Sequence, residues 1–162
     1  MNIFYLDSDP VEAARCHNDA HCVKMVLETA QILCTARARY FLFAPYKPTH
    51  HNHPSVKWAG DSAENYEWLA RLGMALSREY QARCGREHKS AAVIGLIFVA
   101  PPELPRVPFT PPPQAMPEDV QGPDTVWAYR RYYVKYKAHL ARWSPPAVAP
   151  IWYNQHTLDI TC

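Results

Sequence analysis

Residues 17–33 read HNDAHCVKMVLETAQIL, and this segment decides the fold because it combines a helical repeat with an unexpected polar stripe. At 3.6 residues per turn, one face of a single helix carries five polar side chains, namely His17, His21, Lys24, Glu28 and Gln31. The other positions are mainly apolar, which is typical of a helix buried on most sides. Buried ionisable groups are costly unless they are paired, so this stripe indicates a site of proton transfer. The alternative is a solvated face of a helix that packs on its other sides.

The ends of this helix follow from its capping residues. Asp9 and Pro10 are typical of an N-cap and a first helical residue, so an earlier helix begins there. Asn18 is predicted to break that helix and to restart it as the striped one, which runs to about Phe41. In that case His17 lies on the preceding turn, and the other four polar residues share the face.

The rest of the chain also favours helices. A capping box at 61–64 begins a helix with a regular apolar stripe, and Gly85 is a natural end for it. Residues 91–99 are compatible with a helix or a buried strand, and residues 3–6 are predicted to form one short strand. Residues 101–123 are so rich in proline that we expect an extended loop, either a wrapping arm or a functional lid. The tail, residues 145–162, carries Trp152 and Tyr153 with little charge, and it is predicted to pack over the core. The sequence therefore predicts a mostly α fold, with one compact domain over 1–162.

The last predicted helix runs from Asp124 to about Trp143 and is strongly basic. Its cations, interleaved with tyrosines, are Arg130, Arg131, Lys135, Lys137 and Arg142. Such a pattern suits contact with a nucleic-acid backbone and stacked bases. A solvated cationic face on an ordinary core helix explains the same residues.

Composition limits the function classes. The chain has 162 residues and a formal charge of +2, which does not by itself indicate nucleic-acid binding. Its apolar runs are too short for a membrane span, and its first residues lack the features of a signal peptide. The five cysteines are odd in number and without a Cys-x-x-Cys motif, which favours reduced thiols. We therefore expect a cytoplasmic protein without a membrane partner.

Histidines form two groups in the sequence. His17 and His21 belong to the striped segment, and His50, His51 and His53 lie in a predicted loop. Histidines four residues apart can bind zinc, but no His-Glu-x-x-His pattern or cysteine pair accompanies them, so we expect neither a metal nor another cofactor. Loop histidines followed by Lys57 are instead expected to contact anionic groups of a substrate.

The order of these parts resembles the pyrimidine-dimer DNA glycosylase/AP lyases of phage T4 and its relatives. In that family a helix near the N-terminus carries a histidine and, seven residues on, the catalytic glutamate, as His21 and Glu28 do here. The next landmark is a histidine-led segment that enters a long helix ending in a basic turn, which is similar to His53 and the residues up to Lys89. The family's aromatic C-terminus is similar to residues 150–153. The chain also resembles phage-type proteins that share its MNIFYLD and NHPSVKW segments.

This resemblance implies a helical glycosylase-like fold and an enzyme that flips a pyrimidine out of double-stranded DNA. Glu28 would be the catalytic carboxylate, with His21 and Lys24 beside it. The surrounding His17, Gln31, loop histidines and Lys57 would bind substrate. Two positions depart from the family: its nucleophile is the amine of a small residue 2, where this chain has Asn2, and the arginine beside the family's glutamate is missing. Lys24 is then either a replacement amine nucleophile or an ion-pair partner of Glu28.

These departures leave two other functions open. Phages also use glycosylase-like proteins that modify bases, such as the α-glutamyl/putrescinyl thymine pyrophosphorylases. An enzyme of that kind would attach a small amine donor to an activated 5-methyl pyrimidine with loss of pyrophosphate, in the host cytoplasm. The remaining alternative is a non-catalytic DNA-binding protein in which the polar stripe is structural.

Overall fold

Six α-helices make up most of the regular structure of this computed structural model, which describes residues 1–154. They are α1 (Pro10–Cys16), α2 (Asp19–Ala38), α3 (Pro54–Asp61), α4 (Ala63–Cys84), α5 (Lys89–Leu96) and α6 (Thr125–Tyr136). Single 3-10 turns occur at Glu118–Val120 and Ala138–Leu140. Since residues 1–154 contain no strand, the predicted mostly α class is confirmed.

The core is built around the two longest helices, α2 and α4, which pack along each other. Helix α1 packs on α4, while α3 and α5 each contact both long helices. Gly73 marks the closest approach, because a Cβ atom there would lie 2.6 Å from Thr29 Cγ2 and 2.8 Å from Ile94 Cδ1. The absence of a side chain at this position therefore lets α2, α4 and α5 meet.

The predicted helix starts are confirmed by side-chain caps. The side chain of Asp9 accepts hydrogen bonds from the first turn of α1, and that of Asn18 accepts one from the His21 N–H in α2. Helix α4 begins within the predicted box at 61–64, but its cap is Ser62 rather than Asp61, and the Glu64 carboxylate accepts from the Phe109 N–H instead of closing the box. The helix ends at Gly85, which is in the left-handed conformation. Ser62 has an extended backbone (φ −150°), so the long helix implied by the resemblance is divided into α3 and α4.

The predicted strand at 3–6 is wrong. These four residues are buried, and within the described chain no neighbouring strand is present to pair with them. Instead, Phe4 stacks on His21 with ring centroids 4.1 Å apart, and the Leu6 carbonyl accepts a hydrogen bond from Arg130. The segment is extended because it passes between helices, and side chains satisfy part of its backbone.

Three other boundaries were misjudged or left open. Helix α2 ends at Ala38 rather than near Phe41, where the backbone has φ +58°. Helix α6 ends at Tyr136, and a 3-10 turn replaces the predicted continuation to Trp143. The ambiguous run at 91–99 is largely helical, as part of α5.

The proline-rich segment 101–123 is an arm held against the helices by side chains. Trp58 and Asn65 both bond to Thr110, and Ser62 donates to the Val107 carbonyl. Farther along the arm, the Pro113 carbonyl accepts from the Tyr129 hydroxyl. These bonds replace the regular secondary structure that prolines exclude, apart from one 3-10 turn.

The C-terminal tail was predicted to pack over the core. Tyr153 is buried, and Trp152 packs against Tyr133 with ring centroids 6.3 Å apart. The remainder of this prediction, residues 155–162, lies outside the described residues. None of the helices in 1–154 is long and apolar enough to cross a membrane.

Candidate active site

Glu28 is a buried carboxylate that is surrounded by nitrogen atoms. Its side chain is 11% exposed. The Asn2 backbone N–H donates to its Oε2 atom at 3.0 Å, and the Met1 amine lies 3.6 Å from the same oxygen. The ammonium of Lys24 lies 3.2 Å from Oε1. Both carboxylate oxygens therefore have partners, which offsets the cost of burying the group.

Lys24 differs from Glu28 in its exposure. Its side chain is 66% exposed, although it lies only one helical turn before Glu28 on α2. An ion pair with one exposed partner contributes little to stability, since water screens it. The pair therefore places a charged amine at the open side of the carboxylate without serving as a major support of the fold.

The N-terminal segment fixes the position of Asn2 over Glu28. The side-chain amide of Asn2 donates to the Ala115 carbonyl at 3.0 Å, and its Oδ1 accepts from the Tyr129 hydroxyl at 3.1 Å. The carboxylate is thus tied to both α6 and the proline-rich arm through one residue. No pattern in the sequence predicts this connection, because Asn2 and Ala115 are 113 positions apart.

The histidine loop, residues 49–53, lies beside the same region of α2. The Thr49 N–H donates to the Thr35 hydroxyl, and His53 caps α3 by accepting from the Ser55 N–H. Burial lowers the pKa of His53, and the nearby N-terminal charge and His50 lower it further, while Glu28 acts to raise it. The charges of the N-terminus and of Glu28 therefore both act on His53.

The outer part of the loop borders a surface pocket of about 300 Å³. Its lining residues are Thr35, Arg39, His51, Asn52, Val56 and Lys57. His51 and Lys57 are exposed, whereas Arg39 forms an ion pair with Asp61 at 2.6 Å. Thr35 lies two turns after Glu28 on α2, so this edge of the pocket is about 10 Å from Glu28 along the helix.

His17 and His21 are built into the core. His17 precedes α2, as expected for a break at Asn18, and its Nδ1 lies 2.7 Å from the Ala13 carbonyl oxygen. His21 Nδ1 lies 2.6 Å from the Tyr133 hydroxyl, under the ring of Phe4. Burial lowers the pKa of His17 to about 4 and that of His21 to about 3. Both rings are therefore neutral near pH 7.

Gln31, the last member of the polar stripe, is half-buried one turn after Glu28. Its carbonyl accepts a hydrogen bond from the Thr35 hydroxyl at 2.7 Å. In residues 1–154 no group of three histidine, cysteine, aspartate or glutamate side chains is arranged to hold a metal ion.

The cations of α6 and the segment after it have partners within the fold. Arg130 bonds to the Leu6 carbonyl and Asp7, and lies over the Trp152 ring. Arg131 donates to two carbonyls of the 3-10 turn region. The others contact Asp119 (Lys135), the ring of Tyr132 (Lys137) and Asp19 (Arg142). Arg130, Arg131 and Lys135 thus join α6 to other parts of the protein, whereas the Lys137 contact is with α6 itself. The side chains of Lys135 and Arg142 remain 58% and 83% exposed.

Comparisons with protein-family models, curated proteins and solved structures found no match. The function is therefore argued from the geometry around Glu28.

Proposed function

We propose that this protein acts on a pyrimidine flipped out of DNA, in a glycosylase/lyase-like reaction with Glu28 as its catalytic carboxylate. The observation that carries the proposal is the contact of one buried carboxylate with two amines. The Lys24 ammonium lies 3.2 Å from one carboxylate oxygen and the Met1 amine lies 3.6 Å from the other. A carboxylate within reach of an amine is the arrangement that activates a nitrogen nucleophile.

The reaction needs a neutral amine. Glu28 accepts a proton from the amine, whose nitrogen then attacks C1′ of the sugar of the flipped nucleotide. The bond from C1′ to the base breaks, and the base leaves with the bonding electrons and takes up a proton. The C1′–O4′ bond of the sugar ring then opens, its electron pair goes to O4′, which is protonated, and the nitrogen is left as an imine with C1′. Either Lys24 or Met1 supplies the amine.

Substrate contacts are assigned to the groups on the open side of this site. His50, His51 and Lys57 are exposed, and Gln31 is half-exposed, so all four are accessible to a nucleotide. The buried contacts of His21 with Phe4 and Tyr133 favour a positioning role for it, because they fix α2 against the N-terminal segment.

Borohydride trapping tests this proposal directly. It reduces the imine to a stable cross-link between protein and DNA, and we expect such a product on duplex DNA with a damaged pyrimidine. Lys24→Ala removes the cross-link if Lys24 is the nucleophile, and peptide mapping then finds the sugar on that residue. A cross-link that persists in Lys24→Ala maps to Met1. The absence of a cross-link on every damaged pyrimidine tested contradicts the proposal.

The pocket lined by Arg39, His51 and Lys57 favours a second candidate, base modification. Here the nitrogen of a small amine donor attacks the activated 5-methyl carbon of a pyrimidine. The carbon–oxygen bond breaks, pyrophosphate leaves with the electron pair, and Glu28 takes the proton from the amine. The cationic pocket would hold the pyrophosphate. Release of pyrophosphate from DNA that carries the activated base, in the presence of an amine such as putrescine, supports this candidate.

A non-catalytic DNA-binding protein gives a different outcome in both assays. It forms no cross-link and releases no pyrophosphate, yet it still retains DNA, and Glu28→Gln then changes only stability or affinity.

A further inference from the structure

The turn that follows α2 has an exposed apolar surface formed by three residues. It is called the aromatic tip here and consists of Phe41, Leu42 and Phe43. The side chain of Phe41 is fully exposed (100%) and Phe43 is 70% exposed. Scattered exposed apolar residues are ordinary, but two phenylalanines in one turn form a small patch. Such a patch indicates a function where the backbone conformation that presents it costs free energy.

The backbone at Phe41 supplies that cost. Its φ of +58° is in the left-handed region, which a side chain with a Cβ atom rarely adopts. The Leu42 N–H donates to the Arg37 carbonyl and the Phe41 N–H to the Ala38 carbonyl, the bond pair that closes a helix with a glycine. Helix α4 ends with Gly85 at the equivalent left-handed position. Strain at an exposed residue that glycine would relieve points to a function for the phenylalanine ring.

The tip is also fixed in place. The Arg37 guanidinium donates from Nε to the Phe43 carbonyl at 2.8 Å, which ties the far side of the turn to α2. A turn whose backbone is already closed loses little conformational freedom when it binds a partner. The aromatic tip is thus preorganised for contact.

The charge around the tip selects the partner. From residue 29 to residue 60 the chain has no aspartate or glutamate, yet it has four cations, Arg37, Arg39, Lys47 and Lys57, besides three histidines. Lys47 and Lys57 are exposed, and Lys57 lines the pocket beside the histidine loop. One of these cations, Arg39, is paired with Asp61, just beyond the segment. Exposed aromatic rings among cations are typical of surfaces that bind single-stranded nucleic acid.

We propose that the aromatic tip stacks on unpaired bases of a DNA strand that passes from the Glu28 site along the acid-free segment 29–60. The choice of DNA rests on the proposed function. Phe41 lies 13 positions after Glu28, and the helical part of this span, which ends at Ala38, rises about 15 Å. At 3.4 Å per base step, this part alone is about four steps, so the tip contacts bases outside the flipped nucleotide.

Binding of a fluorescein-labelled oligothymidine, followed by anisotropy, tests the proposal. Loss of a stacked ring in Phe41→Ser is expected to weaken binding about 5- to 150-fold, whereas Phe41→Trp keeps the affinity and its indole fluorescence is quenched on binding. Val148→Ser is the matched control, since Val148 is 78% exposed but lies outside the acid-free segment. It is expected to bind as the unchanged protein does.

Phe41→Gly separates binding from folding. Glycine relieves the left-handed strain, so the Tm is expected to rise while affinity for the oligothymidine falls. Unchanged affinity in both Phe41→Ser and Phe41→Gly overturns the proposal. Loss of binding to phosphatidylserine vesicles in Phe41→Ser, with unchanged affinity for DNA, also overturns it and assigns the tip to a membrane surface.

The proposed function and the proposal for the aromatic tip can be overturned separately. If the unchanged protein forms the borohydride cross-link and the Phe41→Ser variant binds oligothymidine normally, the proposed function is supported and the proposal for the aromatic tip is overturned. If the unchanged protein never forms the cross-link, yet the Phe41→Ser variant loses oligothymidine binding, the proposal for the aromatic tip is supported and the glycosylase-like function is overturned.

Discussion

Helices α2 and α6 both carry polar side chains at helical spacing, yet the fold uses the two sets differently. On α6, the arginines bond to distant backbone carbonyls and aspartates, as Arg130 does with Leu6 and Asp7. On α2, Glu28 meets the N-terminal segment and the exposed Lys24. Helical spacing tells which side chains share a face, and only the neighbouring elements decide whether that face is a support or a site.

Glu28→Gln gives the largest effect expected from this comparison. The amide keeps the size of the side chain but cannot accept a proton, so turnover should fall about 100- to 10,000-fold. Thermal unfolding should change little, because the amide oxygen still accepts from the Asn2 N–H. Arg131→Gln, on α6, is the control and should keep full turnover. An equal loss of turnover in Glu28→Gln and Arg131→Gln would contradict the view that α2 carries the site and α6 supports the fold.

Tyr133→Ala tests the supporting role of α6. Tyr133 is fully buried and contacts His21, so its truncation should destabilise the protein by about 3–5 kcal/mol in denaturant unfolding. Tyr133→Phe keeps the ring and removes the hydrogen bond, with an expected loss of about 1 kcal/mol. A Tyr133→Ala protein of normal stability but weakened DNA affinity would instead make α6 part of the binding surface.

The buried histidines predict a loss of stability in acid. The pKa of His17 falls to about 4 and that of His21 to about 3 in the folded protein, from 6.5. The unfolded chain therefore binds more protons below pH 6.5, and stability falls as the pH drops from 6.5 towards 4 for both histidines, and towards 3 for His21. Each histidine contributes a slope of up to about 1.4 kcal/mol per pH unit.

Denaturant unfolding at several pH values measures this slope. His17→Leu should reduce it, while replacement of the exposed His51 with glutamine should leave it unchanged. The same slope in His17→Leu and in the unchanged protein would show that His17 has no part in the acid loss.

Salt dependence gives the smallest expected effect and compares the two cationic surfaces. If Lys57 contacts a phosphate, Lys57→Ala should lower the slope of log affinity against log salt by about 0.9 on duplex DNA. Arg131→Ala should leave the slope unchanged, since its guanidinium already bonds to the Val120 and Gln121 carbonyls. The reverse result would show that α6, and not Lys57, contacts the phosphates of the DNA.

Local features of the sequence predicted much of the helical structure. Asp9 and Asn18 cap helices where their side chains indicated, the cap of α4 lies one residue into the predicted box at 61–64, and Gly85 ends α4. Capping and apolar periodicity depend on residues within about one or two turns, so a single sequence contains them. The strand prediction at 3–6 failed because pairing depends on a second strand elsewhere, and residues 1–154 provide none.

The sequence by itself determined the helical class, most helix starts, and the grouping of Lys24 and Glu28 on one face of α2. Only the tertiary structure decided that Asn2, 26 positions from Glu28, covers that carboxylate. It also decided that Arg130 is bonded to Asp7, 123 positions away. The physical reason is that helical order is set by local hydrogen bonds and caps, whereas the partner of a buried charge is selected by packing between segments that are distant in the chain.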